Sequence, residues 1–270
     1  MITLGSLQVP AIGLGTYKLT GQEAIPILLD AFRIGYRLID TAQLYHNEDE
    51  VGTAIQQSGL PREEIKLITK VWPTNFSKDR FIPSVKESLK KLKTGYVDLL
   101  LIHWPHHQLE VKQYIHFLAQ AQQEGLAKEI GVSNYNVAQL KAVQQEDVNI
   151  VVNEIEYHPW IHQSNITDYM QQHNMPVIAY TPLGRGMMMK DKTIASIANE
   201  HHRQPAQIVL RWMMQKENFI AIPKASSQSH LQENIDVFDF NLSEQEMGQI
   251  DTLSRENRRV VDAQPGAKWD

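Results

Sequence analysis

At 270 residues, 42% hydrophobic and 21% charged, the chain has an ordinary globular composition and is long enough for one large domain with a sizeable core. The formal net charge of −5 speaks against general nucleic-acid binding and leaves room only for a local basic pocket. With no cysteine, disulfides, thiolate metal sites and cysteine nucleophiles are excluded, which fits a reducing compartment.

Met1-Ile2-Thr3 starts without the basic segment and apolar core of a signal peptide. The longest apolar run, near Leu99–Ile102, is far too short to span a bilayer, so a cytoplasmic protein with no membrane partner is expected. Ile2–Val9, with Gly5 in its middle, predicts a small hairpin capping one end of the fold. Beyond it, short apolar runs alternate with longer amphipathic stretches. The runs predict strands over Ile12–Tyr17, Leu38–Thr41, Ile65–Val71, Val97–Trp104, Glu129–Ser133, Val151–Tyr157, Pro176–Thr181 and Phe219–Pro223. Helical patterns lie between them, as at Phe81–Leu92 and Ile194–His201. Strands alternating with helices predict an α/β fold with a parallel sheet, either doubly wound or closed into a barrel. The chain length and the eight strands favour a (β/α)8 TIM barrel, with residues 1–270 as a single domain.

In such a barrel the active site forms at the carboxyl ends of the strands. Strand two ends at Asp40, with Tyr45 beyond it in the loop to a helix whose first turn holds Glu48 and Glu50. Strand three ends at Lys70, strand four at His103-Trp104 and strand five at Ser133-Asn134. A lysine or histidine in such a place is usually a solvated or structural residue. Convergence of Asp40, Tyr45, Lys70 and His103 on one face favours chemistry instead. A free tyrosine, with a pKa of about 10, is a poor acid near neutrality; an ammonium beside it favours phenolate and should lower that value. Asp40 would keep Lys70 charged, and His103 could donate a hydrogen bond to a carbonyl oxygen. After strand eight, Lys224 and the serines 226, 227 and 229 suit a phosphate at the start of a short helix.

Other chemistries find no support. No His-Glu-x-x-His or comparable spacing occurs and strand one lacks a His-x-His pair, so no catalytic metal is expected. Gly131-Val132-Ser133-Asn134-Tyr135 misses the second glycine of a nucleophile elbow. Gly13-Leu14-Gly15 misses the third glycine of a dinucleotide fingerprint. Met187-Met188-Met189 is read as local packing or a flexible cover.

The chain resembles the aldo-keto reductase family along nearly its whole length. The marks are Gly-Leu-Gly-Thr-Tyr at 13–17, Gly35 through Asp40-Thr-Ala, Asn47-Glu48, Tyr96 through His103-Trp-Pro, Ile130 through Tyr135, Glu156-Tyr-His-Pro159 and Ile222-Pro-Lys224. Its short loops and terminal Ala-Lys-Trp-Asp are similar to the bacterial 2,5-diketo-D-gluconate reductase B group, which also reduces methylglyoxal. The resemblance implies a barrel binding extended NADPH and reducing carbonyls, with Tyr45 as general acid, Lys70 and Asp40 tuning it and His103 orienting the substrate. It implies nicotinamide stacked on Tyr180, its carboxamide meeting Ser133, Asn134 and Glu154. Leu183 and Gly184 would run along the pyrophosphate, Lys224 and His230 would lie by the 2′-phosphate, and Glu233 and Asn234 would hold adenine. Tyr17, Trp72 and Trp104 would wall the substrate pocket.

Three positions depart from the family pattern: Glu154 replaces a glutamine, Ala225 a phosphate-binding serine and His230 an arginine. Histidine supplies less charge at neutral pH than arginine, so NADPH preference with relaxed discrimination against NADH is expected. The stretch from Pro105 to a helix near Val111 is short, and so is the tail Val260–Asp270. Both suit an open pocket for small polar aldehydes and ketones, in a monomer as is usual for short-loop relatives. The competing functional class is a nicotinamide-binding sensor with little turnover, which would not require the set Asp40, Tyr45, Lys70 and His103.

Overall fold

The computed structural model describes residues 1–261 and Trp269. Two short strands, β1 (Ile2–Leu4) and β2 (Leu7–Val9), pair antiparallel around Gly5. The main sheet follows with β3 (Leu14–Gly15), β4 (Leu38–Asp40), β5 (Lys66–Val71), β6 (Val97–Ile102), β7 (Ala127–Ser133), β8 (Asn153–Glu156), β9 (Val177–Tyr180) and β10 (Phe219–Ala221). All eight are parallel and adjacent in chain order. A seam closes the ring. Ile12 bridges Ala221, Ala221 donates to the Ala11 carbonyl at 2.8 Å, and Gly15 donates to the Pro223 carbonyl at 3.1 Å. A Cβ on Gly15 would lie 2.7 Å from the Ile222 carbonyl oxygen, so the seam needs glycine there. The closed (β/α)8 barrel expected from strand count is therefore present; each strand is somewhat shorter than its apolar run except β7, which begins two residues earlier, at Ala127.

Helices alternate with the strands: α1 (Ala24–Ile34), α2 (Glu48–Gln57), α3 (Phe81–Lys91), α4 (Ile115–Gln123), α5 (Val137–Gln144) and α6 (Ser164–Gln172). Then come α7 (Lys192–Glu200), α8 (Pro205–Met214), α9 (Gln228–Ile235) and α10 (Glu244–Asp251). Local chemistry sets several starts. Acidic residues fill the first turn of α2, where they meet the positive end of the helix dipole. Asn136 and Gln139 form a reciprocal capping box at α5.

The apolar residues separate into two layers. One lies between sheet and helices and includes Ile39, Leu67, Leu100, Ile102, Ile130 and Ala179. The other fills the barrel with Leu38, Ile68, Leu99, Leu101, Val152, Ile178 and Ile220. Leu4, Leu7 and Val9 pack on this inner layer, so the hairpin plugs the barrel end where the strands begin, as expected. Asp40, Lys70 and His103 lie toward the opposite end, where the strands finish.

Helix α2 meets the carboxyl end of α3 at Gly52. A Cβ there would overlap the Lys91 carbonyl oxygen and lie 2.6 Å from the Leu92 carbonyl carbon, both backbone atoms that cannot swing away. Gly52→Ala should cost about 1–3 kcal/mol by overpacking, despite alanine's better helix propensity. Denaturant unfolding checks this; an unchanged midpoint would show that α2 shifts freely.

Candidate active site

Side chains along a strand point alternately to the two faces, so a residue two places beyond an interior one is also interior. Leu38, Ile68, Leu101, Val152, Ile178 and Ile222 all belong to the inner layer. Two residues further on stand Asp40, Lys70, His103, Glu154, Tyr180 and Lys224. The polar floor of the site is thus one step above the apolar filling. Lys70 is fully buried, and its Nζ lies 2.6 Å from both Asp40 oxygens and 3.3 Å from Glu154 Oε1. It also donates to the Thr41 carbonyl at 3.2 Å.

Tyr45 reaches this cluster from a single 3-10 turn, Gln43–Tyr45, that is tied at both ends. Gln43 Oε1 accepts from the Trp72 backbone N–H and from Asn75, while its amide donates to Ser84 and Ser88. Buried Asn47 accepts from the Thr41 hydroxyl and donates to the carbonyls of Thr16 and Leu19. Buried Glu48 accepts from Thr69 at 2.7 Å. The Asn47-Glu48 pair therefore stitches the segments that follow β3 and β4 to β5, and Tyr45 precedes it on the same short loop. Its ring is 5.3 Å from Lys70 Nζ and meets Tyr17 at 5.1 Å and His103 at 5.5 Å.

Burial pushes the Tyr45 phenol above its ordinary value. Lys70 pulls it down, while Asp40 and Glu154 push it up again. The expected lowering by Lys70 is present, but burial and the two carboxyl groups outweigh it. Tyr45 is therefore a protonated donor at neutral pH. For Lys70, burial opposes the charge, yet Asp40, Glu154 and Tyr45 together hold the ammonium pKa above the usual lysine range. Burial, aided by Lys70, lowers His103 well below the usual histidine range, so it is a neutral imidazole. Its Nδ1 is buried with no hydrogen-bond partner among the described residues.

A cavity of about 800 Å³ opens above this floor. Tyr17, Asp40, Tyr45, His103 and Trp104 line it with Ser133, Asn134, Glu154 and Tyr180. Leu183, Lys224, His230, Glu233 and Asn234 line it as well. Asn134 is held by donating to the His103 carbonyl and Ser133 Oγ and by accepting from the Tyr180 hydroxyl at 2.7 Å. Ser227 caps α9 by accepting from the His230 backbone N–H at 3.3 Å. Burial and Lys18 both lower the Lys224 pKa, marking two lysines gathered at one mouth.

Two sequence expectations need adjustment. Trp72 stands edge-on to His103 at 5.3 Å and is not among the residues lining the cavity. Gly184 adjoins the cavity at the start of a tight turn, Gly184–Lys190, but Arg185 and Gly186 are the turn residues that line it. Of the three methionines, Met188 is fully buried and Met189 lines the wall. The tail expectation concerns residues of which 262–268 and 270 lie outside the described set.

Sequence reasoning missed Arg185, Gln204, Pro205 and Val261, all of which line the cavity. Gln204-Pro205 carried a usable signal, since proline at the first helical position marks the start of α8. Val261 carried none: it is placed by Glu156, a fully buried carboxylate that accepts from the backbone N–H groups of Val260 and Val261 at 2.6 and 2.9 Å.

Comparison with known proteins agrees with this geometry. Residues 11–255 match the model of the Aldo/keto reductase family. The chain is 39% identical to methylglyoxal reductase DkgB of Escherichia coli O157:H7, over 98% of this chain and the whole of that protein. It is 35% identical to the glyoxal reductase of Bacillus subtilis strain 168, over 93% of this chain and 91% of the relative. A crystal structure of a protein assigned as a 2,5-diketo-D-gluconic acid reductase B superposes with a TM-score of 0.92 at 38% identity, covering 97% of this chain and 94% of the other. The chain belongs to the aldo/keto reductase family. It is an oxidoreductase acting on aldehyde and ketone carbonyls.

Proposed function

We propose that this enzyme reduces small polar aldehydes and ketones of the methylglyoxal and 2,5-diketo-D-gluconate type, with NADPH as hydride donor and Tyr45 as proton donor. The observation that carries the reading is the Tyr45 ring, 5.3 Å from Nζ of the buried Lys70–Asp40 pair, at the floor of the cavity. The cavity suits a long dinucleotide. Tyr180 offers a half-buried ring, Glu154 Oε2 is a buried polar atom without a hydrogen-bond partner among the described residues, and Lys18, Arg185 and Lys224 supply positive charge at the mouth. When bound there, NADPH would supply the hydride. Tyr180 would stack on its nicotinamide, and Ser133, Asn134 and Glu154 would hold the carboxamide. Leu183, Gly184 and their neighbours would follow the pyrophosphate, while Glu233 and Asn234 would hold adenine.

On the substrate side, neutral His103 would donate a hydrogen bond to the carbonyl oxygen. Tyr45 would deliver the proton as negative charge develops on that oxygen, and Lys70 would stabilise the resulting phenolate. Tyr17 and Trp104 would flank a small substrate. The absence of cysteine supports work in the reducing cytoplasm, and the short loops support a monomer.

Consumption of NADPH in the presence of methylglyoxal, set against a panel of diketo acids and bulkier ketones, tests the activity. Absence of turnover across the panel would leave the sensor reading instead. Lys224 should carry the cofactor preference. Lys224→Ala should lower kcat/KM for NADPH about tenfold or more while leaving NADH nearly unchanged, since only NADPH has the extra phosphate. A ratio of the two cofactors equal to the parent's would remove Lys224 from that role.

A further inference from the structure

Three ionisable groups, Asp40, Lys70 and Glu154, meet in the barrel interior, each almost wholly removed from water. Two carboxyls share a single ammonium. Asp40 takes the stronger share, with both oxygens at 2.6 Å, while Glu154 has one oxygen at 3.3 Å and the other buried with no hydrogen-bond partner among the described residues. Full ionisation would leave one uncompensated negative charge in a place of low polarity, which is costly. The cluster therefore retains a proton, and Glu154, the less well paired carboxyl, is where it resides. In agreement, burial first and then the Asp40 charge push the Glu154 pKa well above the usual carboxylate range, against the pull of Lys70.

The groups facing Glu154 point the same way. Tyr45 comes from the loop after β4 and His103 from the end of β6, and both are neutral near pH 7. Tyr180 on β9 is neutral too, its phenol raised by burial. Glu156, two residues along β8, is occupied by His158 and the Val260 and Val261 amides, with Arg259 at 3.8 Å. None of these offers Glu154 a second cation. Yet Glu154 lines the cavity beside Tyr180, where a positive charge on a bound ring would supply one.

We propose that Glu154 makes cofactor binding proton-linked and selective for redox state: its carboxyl stays protonated beside the neutral reduced ring and releases that proton to solvent when the cationic oxidised ring binds. The inference rests on the NADPH-dependent reading above. One carboxyl O–H breaks and the proton leaves, so a carboxylate faces the ring's single positive charge. Affinity for NADP⁺ then rises with pH, while affinity for NADPH does not follow it.

Calorimetric titration of the intact protein with NADP⁺ and with NADPH, between about pH 6 and 9 and thus above the ordinary glutamate range, tests this. The 2′-phosphate and adenosine are common to both forms, so their titration, and that of His230, cancels in the ratio of affinities. In the parent protein the NADP⁺-to-NADPH affinity ratio should climb with pH, approaching but not exceeding about tenfold per pH unit, the limit for one proton. In Glu154→Gln the ratio should be flat, and in Tyr45→Phe the climb should persist. A flat ratio in the parent overturns the proposal whether or not the variants fold. An equal climb in Glu154→Gln, or its loss in Tyr45→Phe, assigns the proton elsewhere and also overturns it. Failure of both forms to bind at any pH overturns the NADPH reading and this inference together.

Discussion

Tyr45→Phe should reduce kcat for methylglyoxal by about 10²–10⁴-fold, the usual contribution of a positioned general acid. Phenylalanine keeps the ring contacts with Tyr17 and His103 and removes only the hydroxyl. NADPH affinity should change little, because Ser133, Asn134 and Tyr180, which we propose face the cofactor, are held by their own hydrogen bonds. Stopped-flow turnover and direct titration of NADPH separate the two effects. A variant that keeps most of its kcat would show that the proton comes from elsewhere, with His103 as the first alternative.

Lys70→Met should destabilise the protein by about 3–5 kcal/mol, the range found when one partner of a buried ion pair is removed. Methionine fills much of the space but strands Asp40 and Glu154 without their cation. Glu154 is already protonated in the parent, and loss of the ammonium raises the folded pKa of Asp40 further above its unfolded value. A carboxyl of that kind costs nothing below its unfolded pKa and progressively more as pH rises through the folded value. The deficit against the parent should therefore be small near pH 4 and full at neutrality. Urea unfolding at several pH values measures it, and a pH-independent deficit would mean that packing, not charge, explains the loss. Adding Asp40→Asn to Lys70→Met should recover part of the lost stability at neutral pH.

Much of the site was legible because a barrel turns sequence spacing into geometry. Leu38 to Asp40, Ile68 to Lys70 and Ile178 to Tyr180 each show an apolar run breaking into a polar residue on the same face. Arg185 was not legible as a wall residue because it sits at a turn with left-handed backbone, where neither strand nor helix spacing predicts direction. Val261 depended on a contact with Glu156 more than a hundred residues away. The direction of the Tyr45 shift was also beyond the sequence. It is a balance between burial and three charged or ionisable neighbours, and the sequence reveals only who the neighbours are.

The seam between the first and last barrel strands has a consequence for how the molecule is made. Ile12 finds its partner only when Ala221 has been synthesised, so a growing chain carries β3 as an open sheet edge for most of its translation. Its brevity, two residues in β3, limits what such an edge can recruit from other chains. Joining segments so distant in sequence also makes ring closure a step with a large entropic cost. Lys224 follows the closing strand directly and arrives beside Lys18 through that same step. The positive mouth that we assign to the cofactor phosphate is thus assembled last, and a chain with an incomplete barrel has no means of gripping its nucleotide there.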